Sequence, residues 1–256
     1  MVDTEVGMYV YCVVNNSEEV SLGSIGVENN PVYVISENEI GAVVHECKPE
    51  PYQTTDGDKA KEWVLHHQYV IDVASDRFGT VVPLTFDTIM KGDGSVVKKW
   101  LRDDYQHLKG LLERFAGKDE YGVKVYVGWR YFEERVNSQP DVQELAKTID
   151  GKSKGAAYLY QKKLERTRQT HIESEAKTLG GRILKDIEAY CDDLKNSEIN
   201  LYKFDDKEKC LILNVSCLVK KEDIGALGAA LSRINAGDIK VVFTGPWSPY
   251  SFVSEG

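Results

Sequence analysis

Residues 240–253 have the sequence KVVFTGPWSPYSFV, and the character of the chain changes halfway along them. The β-branched and aromatic run Val241–Phe243 is typical of a buried strand. Gly245-Pro246 ends that strand, because proline has no amide hydrogen to give to a sheet and fixes its own φ angle. A second proline, Pro249, repeats the interruption. The end of the stretch is therefore predicted to be neither regular helix nor regular sheet.

Large aromatic side chains are concentrated around this interruption. Because they cannot all pack within a regular element, they either fold back into a groove of their own domain or present a surface to a partner. The burial habits of aromatic residues favour packing within the chain. The other alternative predicts a partner-binding site made of Phe243, Trp247, Tyr250 and Phe252. The sequence leaves both alternatives open.

The half of the chain that leads to this strand has the order strand, helix, strand, strand, helix, strand. That order is the ferredoxin-like split βαβ arrangement, with a four-stranded antiparallel sheet, helices on one face and the last strand at an edge. We therefore predict a ferredoxin-like C-terminal domain at residues 118–256, with a long helical insertion. Gly180-Gly181 lies inside its long helix and is expected to bend it. The elements before the last strand are predicted at residues 121–127, 156–194, 199–204, 209–219 and 222–234, with a turn at 205–208.

The first half of the chain has more strands than helices, and its topology is not determined by the pattern. We predict an N-terminal α+β domain at residues 1–117, so that the fold class is α+β with two domains. Asp58 is expected to cap the first helix and Gly79 to end it, and Pro83 marks an edge strand or a bulge. The predicted strands are residues 8–14, 31–35, 41–45 and 80–86, and the predicted helices are 59–78 and 95–115.

Composition restricts the class of protein. Hydrophobic residues make up 42% of the 256 positions, which allows a sizeable core, and the net charge of −9 argues against a nucleic-acid partner. The five cysteines include no CxxC pair, so we interpret them as small buried residues of a reducing compartment. No apolar run approaches the ~20 residues of a membrane span. We therefore expect a cytoplasmic protein without a membrane span.

No catalytic, cofactor-binding or metal site is predicted. Gly151-Lys152-Ser153 resembles the end of a phosphate-binding loop, but Ala146 stands where that motif needs glycine, and no strand precedes it. His66 and His67 are adjacent on a predicted helix, so their rings point about 100° apart and do not easily share a metal ion. The catalytic motifs GxSxG and GxGxxG do not occur. The chain is therefore predicted not to be an enzyme.

Several blocks of the sequence resemble one known family. GPWSPYSF at residues 245–252 is similar to the closing GPWPPYSF motif of the GvpL/GvpF family of gas vesicle proteins. The opening run MYVYCVV at residues 8–14 resembles the first strand of that family. TVVPLTFDT at residues 80–88 resembles the family's TVLPLRFGT strand, although Thr85 replaces the arginine and Asp87 the glycine. These blocks follow one another in the order that the family has.

The resemblance implies an accessory or minor structural protein of gas vesicles that works without catalysis. It also implies binding of the hydrophobic shell protein GvpA, and possibly of other gas vesicle accessory proteins, during assembly or nucleation, in a cytoplasmic location at the gas vesicle. A soluble protein that covers apolar shell surface by strand addition or an aromatic groove would suppress aggregation. The main alternative is a ferredoxin-like module that senses a small ligand and regulates. An unrecognised hydrolase is a third class.

Overall fold

The computed structural model describes residues 6–196 and 209–254. The chain divides into two compact units: the first contains residues 1–120 and 246–256, and the second contains residues 121–245. The domain boundary at residues 117–118 stays a prediction. Residues 118–120 and the segment from Pro246 onward belong to the first unit, whereas the sequence analysis placed them in the C-terminal domain.

The first unit is built on a six-stranded sheet with the order β2-β3-β4-β1-β5, in which β6 also pairs with β1. The β1–β4 and β3–β4 pairs are antiparallel. Pro83 lies in the edge strand β5, where a missing amide hydrogen is tolerated. The strands are β1 (Gly7–Asn15), β2 (Ser21–Gly23), β3 (Val32–Glu37), β4 (Ile40–Cys47), β5 (Val81–Pro83) and β6 (Ile89–Lys91).

A bulge in β1 determines which of its side chains face the same core. The register with β4 shifts between Val10 and Cys12, so that Tyr9, Tyr11 and Cys12 all join one buried cluster. That cluster packs against the first helix, α1 (Gly57–Phe78). The other side chains of β1 up to Val14 are equally buried, because helices that follow later in the chain cover the opposite face of the sheet.

The helices of the first unit correct two details of the sequence analysis. The cap of α1 is Asp56, whose side chain accepts hydrogen bonds from two following backbone amides, and not Asp58. Gly79 does end the helix, with a φ of 85°. The predicted helix 95–115 is two helices, α2 (Gly94–Asp103) and α3 (Tyr105–Phe115). Asp104 separates them, since aspartate is a poor residue for a helix interior.

The second unit is built on a four-stranded sheet with the order β10-β7-β9-β8. Three helices lie between β7 and β8 in the sequence, and one lies between β9 and β10. The hairpin pair β8–β9 is antiparallel. The elements are β7 (Lys118–Gly128), α4 (Trp129–Asn137), α5 (Pro140–Ile149), α6 (Lys154–Glu188), β8 (Asp193–Asn196), β9 (Lys209–Lys220), α7 (Ile224–Ile234) and β10 (Ile239–Trp247).

The long helix α6 runs through Gly180-Gly181 without a break. A Cβ atom on Gly180 would lie 2.7 Å from the carbonyl oxygen of Ile212, so this glycine allows the helix to approach β9 closely. The helix ends at Glu188, and Leu194, which was predicted to belong to it, lies in β8. The predicted strand 199–204 and turn 205–208 lie outside the described residues.

The mixed α+β class with antiparallel sheets is confirmed. Within residues 6–196 and 209–254, no helix is both long enough and apolar enough to cross a membrane.

Candidate functional site

The strand β10 presents two of the four aromatic residues that the sequence singled out. Phe243 keeps 39% of its surface exposed and Trp247 keeps 50%. One face of the Phe243 ring stacks on Tyr121, with the ring centroids 5.2 Å apart and the planes 16° from parallel. Gly245 has a φ of 125°, a conformation open to glycine but strained for other residues, and it stands just before Pro246. The strand nevertheless continues through Pro246 to Trp247, so the predicted end at Gly245-Pro246 is wrong.

The position of β10 at the end of its sheet exposes one edge of the strand to a potential partner. Part of that strand is already occupied, because the Val241 amide donates a hydrogen bond to the Asn235 side chain over 3.0 Å. Pro246 has no amide hydrogen to give. Pairing with a foreign strand is thus restricted to a short piece of β10, and side chains must supply most of any contact there.

The other two predicted residues pack into the first unit, where Tyr250 is half-buried and Phe252 is buried. The Tyr250 hydroxyl donates a hydrogen bond to Gln68 over 3.2 Å, and burial raises the pKa of this phenol. Phe252 has no exposed surface. Between them, the Ser251 amide and hydroxyl both donate to the Glu120 carboxylate, over 2.8 and 2.5 Å. The partner-binding role stays a prediction, and of the four residues Phe243 and Trp247 have the most exposed side chains.

A buried network of tyrosine and histidine side chains was missed by the sequence analysis. His67 Nε2 lies 3.0 Å from the Leu84 carbonyl oxygen, to which it must donate, so Nδ1 accepts from the Tyr9 hydroxyl over 2.9 Å. The Tyr9 oxygen in turn accepts from the Asp87 amide. His45 contacts the hydroxyl of Tyr11 through Nδ1 and that of a second tyrosine, residue 52, through Nε2, over 2.8 and 3.1 Å.

The network is uncharged at neutral pH. Burial lowers the pKa of both His45 and His67 to about 4, because a charged ring would lose its hydration. Burial also raises the pKa of Tyr52 to about 12. Since each of the two rings has both nitrogens engaged by the chain, neither has a nitrogen left for a substrate. The alternation of Tyr9 and Tyr11 along β1 was the available sequence signal.

Asp87 shows why one departure from the family pattern is tolerated. Its φ is 70°, in the left-handed region that glycine adopts freely and that aspartate accepts better than most residues. Its carboxylate also accepts a hydrogen bond from the Tyr52 amide over 3.0 Å, a contact that glycine cannot make. The aspartate therefore ties the loop around residue 52 to the strand that follows α1.

Two neighbouring depressions lie on the surface of the first unit. A groove of about 780 Å³ beside α1 is lined by apolar and aromatic side chains that include Tyr52, Trp63, Val64 and Phe86. A second depression of about 370 Å³ is lined by three glutamates, one lysine and again Tyr52. Neither depression was predicted, because residues from distant parts of the sequence form each of them.

With this architecture in place, comparison with known proteins identifies the class. The family model described as "Gas vesicle synthesis protein GvpL/GvpF" matches residues 7–254, and the chain belongs to this family. The resemblance inferred from the GPWSPYSF motif and the preceding blocks is therefore confirmed. The family takes part in gas vesicle formation.

Individual relatives agree with the family assignment. Gas vesicle protein L1 of Halobacterium salinarum is 34% identical, over 97% of this chain and 91% of that protein. Gas vesicle protein L of Haloferax mediterranei is 30% identical, over 92% of this chain and 74% of its own length. The crystal structure of GvpF from Anabaena sp. superimposes with a TM-score of 0.79 at 18% identity, covering 98% of this chain and 99% of that one. That likeness shows a shared fold.

Proposed function

We propose that this protein serves gas vesicle assembly by binding, without catalysis, and that its partner is the hydrophobic shell protein GvpA. The observation that carries the proposal is the exposure of Phe243 and Trp247 on the edge strand β10. Exposed large aromatic side chains next to an open strand edge are typical of a site that binds another polypeptide. Other gas vesicle accessory proteins are possible further partners, and the location is the cytoplasm at the forming vesicle.

The size of the exposed aromatic surface indicates how strong this contact is. Fully buried aromatic side chains contribute about 150–250 Å² each, and Phe243 and Trp247 have 39% and 50% of their surfaces still available. Covering that remainder is worth roughly 4 kcal/mol at about 25 cal/mol per Å². Association costs about 4–15 kcal/mol in lost freedom. The two side chains therefore anchor a contact that needs further surface to become stable.

The buried histidines support a role without catalysis. His45 and His67 hold tyrosine hydroxyls, and each ring uses both nitrogens for contacts within the first unit. A general base needs a nitrogen within hydrogen-bond reach of its substrate. His67 instead fixes α1 to the sheet, and His45 fixes β4 to β1 and to the loop around residue 52, which are structural tasks.

We also propose that the second unit is a ferredoxin-like domain and that the two units are separate domains. The strand order β10-β7-β9-β8, with helices between β7 and β8 and between β9 and β10, supports this topology. Native-state hydrogen exchange on the whole chain tests the division into two domains. Two groups of amides with different opening free energies are expected, divided near Glu120 and near Pro246. A single group with one opening free energy would contradict the two-domain proposal.

Alanine substitutions on β10 test the binding proposal. Phe243→Ala and Trp247→Ala should each weaken co-purification with the shell protein from vesicle-forming cells. Both side chains are half exposed, so we expect each substitution to cost only about 1–2 kcal/mol of unfolding free energy. Leu159→Ala is the matched control, because Leu159 is 68% exposed and belongs to α6 and not to β10.

Two results would refute the binding proposal. One is undiminished recovery of the shell protein by a Phe243→Ala/Trp247→Ala double variant that unfolds normally. The other is an equal loss of recovery with Leu159→Ala, which would indicate general adhesion between apolar surfaces. A measured enzymatic turnover that the double variant retains would contradict the non-catalytic role.

A further inference from the structure

The groove beside α1 has a shape and lining that suit part of a polypeptide. Tyr52 stands edge-on to Trp63, with ring centroids 5.2 Å apart and planes at 73°, which fixes both rings in place. Trp63 is almost fully buried, whereas Val64 on the same helix keeps half of its surface exposed. The volume of about 780 Å³ lies within the range of known binding pockets. One or two large apolar side chains would therefore find a recess that Tyr52, Trp63, Val64 and Phe86 line together with the polar residues Gln53, Thr54 and Thr55.

One end of the groove is acidic. Tyr52 lines both depressions, so the apolar groove and the smaller depression adjoin each other at this residue. The smaller depression is lined by Glu28, Glu46 and Glu50, against one lysine, Lys48. Glu28 is engaged by another lysine, at residue 59, over 3.2 Å. The remaining carboxylates leave a negative potential beside the apolar recess.

We propose that this groove is a docking site for a partner polypeptide segment in which large apolar side chains stand next to an arginine or lysine. The apolar side chains enter the recess between Tyr52 and Val64, and the basic side chain lies against Glu46 and Glu50. Charge complementarity selects this occupant, since the carboxylates attract a basic side chain and repel an acidic segment. The site is distinct from Phe243 and Trp247, neither of which lines it.

A defined probe tests the proposal on the full chain. The probe is a short fluorescein-labelled peptide of alternating leucine and arginine, and its binding is measured by fluorescence anisotropy. Two companion peptides replace the arginines by glutamates or the leucines by serines. The leucine–arginine peptide should bind, and both companions should bind at least about tenfold more weakly, a difference of about 1.4 kcal/mol.

Matched substitutions locate the bound peptide. Val64→Gln should weaken binding about tenfold, because it places an amide where the recess is apolar. Leu65→Gln is its control, since Leu65 is 68% exposed on the same helix but does not line the groove. Glu50→Lys should weaken binding about fivefold through lost charge attraction, whereas Glu133→Lys in the second unit changes the net charge equally and should have no effect. Three of the substituted side chains are exposed and the fourth, Val64, is half exposed. The variants should therefore fold.

The outcomes separate this site from the function proposed for β10. A Phe243→Ala/Trp247→Ala variant should bind the leucine–arginine peptide as the parent protein does. Equal binding of all three peptides, or equal losses with Val64→Gln and Leu65→Gln, would overturn the docking site. So would self-association of the chain that Val64→Gln abolishes without any change in peptide binding, because a second copy would then be the occupant.

Discussion

Acidification from about pH 7.5 to about pH 5 should destabilise the first unit through His45 and His67. In the folded chain both rings have a pKa of about 4, and their ordinary value is 6.5. At a pH between those two pKa values, the histidines bind protons in the unfolded chain and stay neutral in the folded chain. Stability therefore rises with pH in this window, and it is lost as the pH falls from about 6.5 towards about 4.

The magnitude follows from the two pKa values. A lowering from 6.5 to about 4 corresponds to about 3.4 kcal/mol for each ring once the pH is below both values. At pH 5 the linkage relation gives about 2 kcal/mol for each ring, or about 4 kcal/mol for both. A domain is typically stable by about 5–15 kcal/mol, so this loss is large enough to shift a denaturation midpoint clearly.

Urea denaturation at several pH values measures the effect. The parent protein should lose unfolding free energy steeply below about pH 6.5, and a His45→Gln/His67→Gln variant should show a much flatter profile. His107→Gln is the control, because His107 is an exposed histidine of the same unit. Above pH 5 the carboxylates contribute little to the pH dependence, because their ordinary pKa values are 4.5 for glutamate and 3.8 for aspartate.

The reasoning has two points at which it can fail. If the parent protein shows no loss of stability down to pH 5, the rings are not excluded from protonation as their burial requires. If the double variant keeps the full slope, other groups cause the pH dependence and the buried network does not.

Two further predictions concern close packing and the terminal segment. Gly180→Ala should destabilise the protein by about 1–3 kcal/mol, because its Cβ would meet the Ile212 carbonyl oxygen; Gly181→Ala meets nothing within 4 Å and should stabilise α6 by up to about 1 kcal/mol, as measured by urea denaturation. A reversed order of these two variants would contradict the close approach of α6 to β9. Glu120→Ala should cost about 1–3 kcal/mol, because the amide and hydroxyl of Ser251 lose their acceptor. Limited proteolysis should then cut near residue 251 faster, and unchanged cleavage would refute the anchoring role.

The sequence predicted those elements whose pattern is local and periodic. The apolar run at residues 8–14 became β1, and the spacing of residues 59–78 became α1, since both patterns reflect burial on a continuous face. The family resemblance rested on the string GPWSPYSF, which combines rare residues in a fixed order. For such features a short stretch of chain contains enough information.

The sequence did not predict features that depend on contacts between residues far apart in the chain. The contacts of Tyr9 with His67 and of Tyr11 with His45 join strands and a helix that lie far apart in the sequence. Leu194 continues the helical spacing of α6, yet pairing with Cys217 places it in β8. Tertiary packing decided these cases against the local pattern. The separation of the terminal aromatic residues into exposed and buried ones has the same origin.

The return of the segment from Pro246 onward to the first unit has a consequence for biosynthesis. A ribosome adds these residues after it has made all the strands with which they pack. The first unit therefore cannot reach its finished form before the whole of the second unit has been synthesised. Glu120 lacks the Ser251 donors until residue 251 has been added, so the part of the chain that begins folding early is completed only after the second unit has been made.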